Sequence, residues 1–345
     1  MSSFVKQSMS NAAQSETFEK ILSWLEGRDR RCPGLLRVLT YHRVDNPVAR
    51  PWLDPNLISA TPEVFDEQMK YLSTHYQVIA IADVISALET EDYKQLPARA
   101  VVVTFDDAYF DFAEHAWPTL KRYGIPATLF VPTAYPDQPE RTFWWDDLYN
   151  AIQNTSREDD LDTPIGFLSL SKASRTQVHK RLKNHLKTLQ HAEMIKIVKK
   201  LCDELEVTSA TNCVLGWDAL RKLASEGVTL GAHTRTHPLM NRVSLEKAQD
   251  EAVGSWRDLE NKIGSALPIF AYPSGGYSDE VAAMLGQQGF KMAFTTSRGI
   301  NPIRNADLLR LRRINVGGKT TLPILRAQLL PWAKHLNWLQ SLISS

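Results

Sequence analysis

The sequence predicts an α/β fold in which a parallel sheet closes, or nearly closes, into a barrel, with a helical insertion partway round. Three observations carry this reading. From about residue 98 onward, short apolar runs alternate with helix-like segments, the order that lays parallel strands side by side with helices outside them. Two of the apolar runs end abruptly in ionisable clusters, Asp106-Asp107 and His233 to His237, and barrel strands converge such ends on one site. Between Trp144 and Cys213 the rhythm stops: no strand pattern is evident, and Arg175–Leu205 is rich in Lys, Leu and His with helical periodicity.

Taken in order, residues 1–14 read as a polar tail. Ser15 caps a short amphipathic helix, Glu16–Glu26, which Gly27 ends. Leu35–Val44 is a strand that carries His42 near its end. Thr61-Pro62 opens a helix through Met69 and Leu72. Val78–Ala80 is a short strand, and Ile81–Glu89 a helix. The strand at 100–105 leads to a helix through Leu120 and to Gly124, and a further strand spans Ala127–Val131. Helix Asp218–Ser225 is closed by Gly227 before strand Val228–Ala232. Ser244 caps a long helix to Ile263 with Gly264 as its stop. Strand Ile269–Tyr272 precedes a Ser278-capped helix, 279–288, and Lys291–Thr295 and Leu309–Val316 are the last strands. His179, His185 and His191 recur every six residues, a spacing that holds no single helical face, and read as surface residues.

With 40 Lys+Arg against 39 Asp+Glu the chain has no global charge bias, which argues against nucleic acid as the main partner. Its 345 residues, 43% of them hydrophobic, allow one large α/β domain or two small ones. Of the nine Trp, those not in the core could stack on sugar rings. Cys32, Cys202 and Cys213 lack CxxC spacing and read as incidental thiols of a reducing compartment. Met1 to Ser15 has no apolar signal-peptide core, and no stretch approaches the ~18–20 apolar residues of a membrane helix. The expected location is therefore cytoplasmic. The tail Leu329–Leu342 carries Leu and Trp on one side, and either packs against the barrel or makes weak membrane-surface contact.

Chemistry offers candidate site residues, beside a plainer reading in which Asp106-Asp107 is a helix cap or loop and His233 and His237 are surface residues of a helix. Two adjacent carboxylates at the end of a buried strand repel one another and lose solvation, so a fold keeps them where a cation lies between them or one acts as a base. His233 and His237, at i and i+4, present both imidazoles on one side of a turn. Asp107 with His233 and His237 is the three-ligand set of a catalytic divalent-metal site, open to water and substrate. Such an ion polarises a carbonyl and acidifies a water, leaving Asp106 as the general base.

Thr104-Phe105-Asp106-Asp107 and His233-Thr234-Arg235-Thr236-His237 closely resemble the first two motifs of the polysaccharide deacetylase family (carbohydrate esterase family four, the NodB-homology domain). The resemblance covers about 98–316, with 145–213 as the insertion. It implies a distorted (β/α) barrel of fewer than eight strands, Asp106 as base, and Asp107, His233 and His237 as ligands of a divalent metal, usually zinc, with cobalt or nickel as alternatives. On this division 1–34 is a tail and short helix, 35–97 supplies N-terminal barrel elements with His42, and 317–345 is a C-terminal amphipathic helix. Two departures from the family pattern follow. In the third motif, Phe270-Ala271-Tyr272-Pro273-Ser274-Gly275, Ala271 stands where an Arg usually steadies the base, and Ser274 takes the position whose backbone N–H faces the oxyanion. Arg313, or Arg312, is then the candidate replacement cation; the alternative makes both surface arginines. The Leu-x-His that usually supplies the general acid is missing, and His335 sits in the amphipathic tail. Leu39-Thr40-Tyr41-His42-Arg43-Val44 instead resembles the Tyr-His motif of a branch acting on exopolysaccharides, which implies that His42 protonates the leaving amine; the alternative is a core histidine satisfied by backbone. Asp45 is a further polar contact in that loop. The implied substrate is an N-acetylated saccharide of a polysaccharide, oligosaccharide or glycan precursor, with no particular oligomeric state. The rival readings are an O-acetyl or other amide hydrolase, and a carbohydrate-binding protein with an idle barrel.

Overall fold

The computed structural model describes residues 16–29, 34–138, 141–208 and 213–331. Seven strands form its centre: β1 (Leu35–Tyr41), β2 (Ala100–Phe105), β3 (Ala127–Val131), β4 (Thr229–Ala232), β5 (Ile269–Ala271), β6 (Met292–Arg298) and β7 (Leu311–Asn315). Around the ring, β1 pairs with β2, then β3, β4, β5, β6, β7 and β1 again, every pairing parallel. The register Arg37↔Val101 to Tyr41↔Phe105 closes it. The fold is thus the expected barrel, one strand short of eight, and the closing strand comes from the N-terminal segment. Gln77–Val78 extends the sheet beside β2, and Asn301–Pro302 pairs antiparallel with β1.

Strand alternation sorts the side chains. Leu36, Val38, Val102, Phe130, Ala271 and Phe294 pack in one cluster with Ile81 and Val84 of the helix Ile81–Glu89. The alternate set, including Leu39, Val103, Leu129, Phe270 and Ile314, belongs to the larger cluster shared with the surrounding helices. A Cβ on Gly231 would lie 2.6 Å from the Phe130 ring, so glycine is required where that ring fills the space.

The caps fall as expected. Thr61, Ser244 and Ser278 each accept a hydrogen bond from a first-turn N–H, and Gly264, at φ 96, stops the helix Leu245–Ile263. The first helix does not end at Gly27; it runs Glu16–Asp29, its end held by the buried pair Asp29–Arg37 at 2.5 Å.

The insertion holds the helices Trp144–Asn154, Arg175–Leu186 and His191–Leu205. Contrary to expectation it also holds a hairpin, Asp160–Thr163 against Gly166–Ser169. Each strand of that hairpin buries so few residues that no apolar run marks it. His179 is not a surface residue: it is 3% exposed and meets Tyr149 edge-on at 5.2 Å. At the C-terminal side a helix spans Leu322–Gln328, and Leu329 and Leu330 are buried. Most of the Leu329–Leu342 tail, with His335, lies outside the described residues.

Candidate active site

Inward parity on β2 runs through Val102 and Thr104 to Asp106, on β4 through Gly231 to His233, and on β7 through Leu311 to Arg313. Period two alone therefore brings a carboxylate, an imidazole and a guanidinium to one end of the barrel. Asp107 would point outward by the same count, but its φ of 72 turns it back. Five of the eight non-glycine residues with positive φ among the described residues, Asp107, Ala108, Thr234, His237 and Ser274, belong to these strand-end loops. Backbone of that kind costs about 1–3 kcal/mol per residue and collects at functional sites.

Asp106 is buried, and Arg313 grips it with two hydrogen bonds, Nη1 to Oδ1 at 2.8 Å and Nη2 to Oδ2 at 2.7 Å. Arg313 is itself fully buried, and its Nε donates to the Thr295 carbonyl at 2.9 Å. Burial pushes the Asp106 carboxyl up, but Arg313 first and His233 next outweigh it, and its pKa is lowered. Arg312, one residue away and of opposite parity, is exposed.

His233 Nδ1 lies 2.8 Å from the Ala271 carbonyl. A carbonyl only accepts, so Nδ1 carries the proton, and in the neutral ring Nε2 holds a lone pair. That nitrogen is 3.4 Å from Asp107 Oδ1, and His237 Nε2 is 3.1 Å from the same oxygen. Asp107 Oδ1 is buried without a hydrogen-bond partner. Three ligand atoms of Asp107, His233 and His237 lie within 4.8 Å of one another. An anionic oxygen facing imidazole lone pairs needs a proton or a cation between them, and this donor set fits a divalent cation. Burial raises the Asp107 carboxyl, but the two imidazoles hold it well below the usual range. Burial outweighs Asp107 at His237, whose pKa is lowered, whereas at His233 burial is outweighed by Asp107 and Asp106, which raise it.

The loop between the two histidines is fixed from outside. Glu251, wholly buried on the helix Leu245–Ile263, accepts from the Arg235 N–H at 2.8 Å, the Thr236 N–H at 2.8 Å and the Thr236 hydroxyl at 2.7 Å. Thr133 and Ala134 N–H groups bond the Thr234 and Arg235 carbonyls. The Trp145 ring, from the insertion, stands edge-on to His237 at 4.7 Å.

His42, Asp106, Asp107, His233, His237 and Ser274 all line one small cavity of about 60 Å³. The backbone N–H of His42 donates to Ser59 Oγ at 2.9 Å, and His42 lines the cavity. At Ser274 the turn is closed by the Gly275 and Gly276 N–H groups, and among the described residues the Ser274 N–H has no backbone acceptor. Gly275 has φ 70, and a Cβ there would lie 2.0 Å from Thr296 Oγ1, so only glycine allows this turn. Asp45 faces away, pairing with Arg43 at 2.6 Å and Arg50 at 2.7 Å.

The structure thus gathers His42, Asp106, Asp107, His233, His237 and Ser274, with Arg313 behind Asp106, and leaves Arg312 and Asp45 outside the site. Sequence reasoning missed Glu251, the Ala271 carbonyl, Trp145, and the lysines Lys183 and Lys187 that also line the cavity. A backbone carbonyl leaves no signal in a sequence, and Glu251 looks like any helix surface glutamate.

Residues 93–293 match the polysaccharide deacetylase family. The chain is similar to YxkH of Bacillus subtilis (strain 168), a protein assigned to the polysaccharide deacetylases, with 23% identity over 82% of this chain and 72% of that protein. It is 30% identical over 102 residues to the poly-beta-1,6-N-acetyl-D-glucosamine N-deacetylase of Escherichia coli (strain K12), a match spanning 29% of this chain and only 14% of the relative. Its fold is that of the Streptococcus pyogenes deacetylase PplD, solved in complex with acetate, with a TM-score of 0.59 and 22% identity over 87% of this chain and 100% of that one. The barrel, the site at its mouth and the match over most of its length place this chain in the polysaccharide deacetylase family, hydrolases that act on amide carbon–nitrogen bonds.

Proposed function

We propose that this protein removes N-acetyl groups from an N-acetylated sugar of a polysaccharide, oligosaccharide or glycan precursor, and does so with a divalent metal, zinc first, cobalt or nickel as alternatives. The observation that carries the reading is the division of labour between neighbouring carboxylates. Asp106 is paired with Arg313, whereas Asp107 faces two histidine nitrogens with no donor of its own. A cation held by Asp107, His233 and His237 supplies Lewis acidity to the acetyl carbonyl and the attacking water. Asp106, charged and oriented by Arg313, takes the water's proton. The Ser274 N–H donates to the oxyanion of the tetrahedral intermediate. His42, across the cavity, gives a proton to the departing amine, which leaves poorly unprotonated.

The test is acetate release from a panel of N-acetylated and O-acetylated oligosaccharides and precursors, with and without chelator and with zinc, cobalt or nickel restored. N-acetyl substrates turn over, chelator stops the reaction and metal restores it. Asp106→Asn keeps its metal but loses about 10²–10⁴-fold in turnover. Wild-type rates in that variant would sink the base assignment, and release from O-acetyl substrates alone would turn the reading to an esterase. A carbohydrate-binding protein with an idle barrel would release nothing.

A further inference from the structure

The helix Arg175–Leu186 of the insertion ends over the site, and Lys183 and Lys187, one turn apart, both line the cavity. What faces the two ammonium groups differs. Lys183 Nζ lies 2.6 Å from Oδ2 of Asp54, a carboxylate that is fully buried. Arg313 likewise has Asp106. Lys187 Nζ reaches Ser274 Oγ, at 3.3 Å, and among the described residues no carboxylate pairs with it. Burial first, and Lys183 next, lower its pKa against the pull of Asp107 and Asp54.

Lys187 is therefore a cation held at the mouth, in contact with Ser274 and within the field of Asp107 and Asp54, but in direct ion pair with neither. Ammonium in that position is suited to a phosphate or carboxylate brought by the ligand. A second cavity of about 460 Å³ lies alongside, lined by Arg298 and Lys319. Thr296 of the first cavity and Arg298 of the second share β6, and Leu57 and Ile58 adjoin in the chain. The rim thus stays basic beyond the reacting end.

We infer that the substrate is an anionic N-acetylated sugar, with a phosphate or carboxylate close to the acetamido group, and that Lys187 of the insertion recognises that charge. The inference rests on the deacetylase reading and narrows its substrate class.

Three ligands test it: an N-acetylglucosamine oligomer, the same oligomer phosphorylated at its reducing end, and the same oligomer oxidised there to a carboxylate. Wild type is expected to favour at least one anionic form by about 10- to 100-fold in kcat/KM, the value of one charge-assisted contact. Lys187→Met collapses that ratio towards one, chiefly through KM, and Lys187→Arg restores it. Which anion is preferred separates phosphate from carboxylate. The inference is overturned if wild type shows no preference, or if Lys187→Met lowers neutral and anionic turnover by one common factor. If no acetate is released from any substrate, the deacetylase reading has failed on its own. Binding of the three ligands, measured by calorimetry, then decides: an anionic preference lost in Lys187→Met and kept in Lys187→Arg supports the inference, and equal binding overturns it.

Discussion

Arg313 and Asp106 meet as a fully buried, two-pronged ion pair whose partners stand 207 residues apart in the chain. Removing the cation leaves an uncompensated charge inside the protein. Arg313→Met is therefore expected to cost about 3–5 kcal/mol of stability, seen in denaturant melts. It also shifts the pH dependence. Arg313 is what offsets burial and keeps Asp106 low, so without it the carboxyl pKa rises and the acid limb of kcat/KM moves to higher pH. An unmoved limb would mean that Asp106 is not the titrating base. At this scale Asp106, Asp107, His233 and His237 were legible because strand ends deliver them in short, recognisable strings. The choice between Arg312 and Arg313 was not, because it depends on which parity of β7 faces the barrel interior. Only the register of β7 against β1 and β6 settles that.

The insertion acts as an element that carries titratable groups into the structure. Its helix Arg175–Leu186 buries Val178, His179, Leu182 and Leu186. Burial lowers the His179 pKa from 6.5 to about 4, against the pull of Asp54. With the folded pKa below the unfolded one, the contribution is present above pH 6.5 and lost as pH falls through about 4. At about 1.4 kcal/mol per unit this amounts to about 3 kcal/mol, and His179→Gln should flatten that part of the stability curve. Asp146, on the helix Trp144–Asn154, has the opposite sign. Burial raises it from 3.8 to about 7, although the Tyr109 hydroxyl at 2.6 Å and the Asp54 N–H at 2.9 Å bond its oxygens. Its contribution is present below pH 3.8 and lost as pH rises through about 7. Asp146→Asn should thus gain on wild type above pH 7, and identical thermal unfolding curves from pH 6 to pH 9 would refute the raised pKa. The helices within Arg175–Leu205 were readable from periodicity, and the helix Trp144–Asn154 was not. The hairpin and the burial of His179 were not, since few of the hairpin's residues are apolar and His179 faces the Tyr149 ring and Asp54, partners distant in sequence.

For the whole molecule, a cation at Asp107, His233 and His237 would bind only where β2 and β4 have already converged, so binding and folding are linked. Metal at 1,000 times its Kd should add about 4 kcal/mol, and chelator should take it away. Calorimetric melts check this, and the shift should vanish in His233→Ala. A wild-type Tm that ignores both chelator and metal would argue that the three residues hold no ion. No helix of the described residues is long and apolar enough to cross a membrane. The β/α alternation, most helix caps and the two ionisable strings at strand ends follow from local patterns of apolar spacing and turn chemistry, and these can be read along the chain. The closure of seven strands through β1, the approach of Arg313 to Asp106, the turning of His233 by a carbonyl of β5 and the placing of Lys187 over the site arise between segments far apart in sequence. Long-range register and barrel parity decide the first three, because a strand slipped by one residue would send its side chains to the opposite face, and the packing of the insertion on the barrel decides the last.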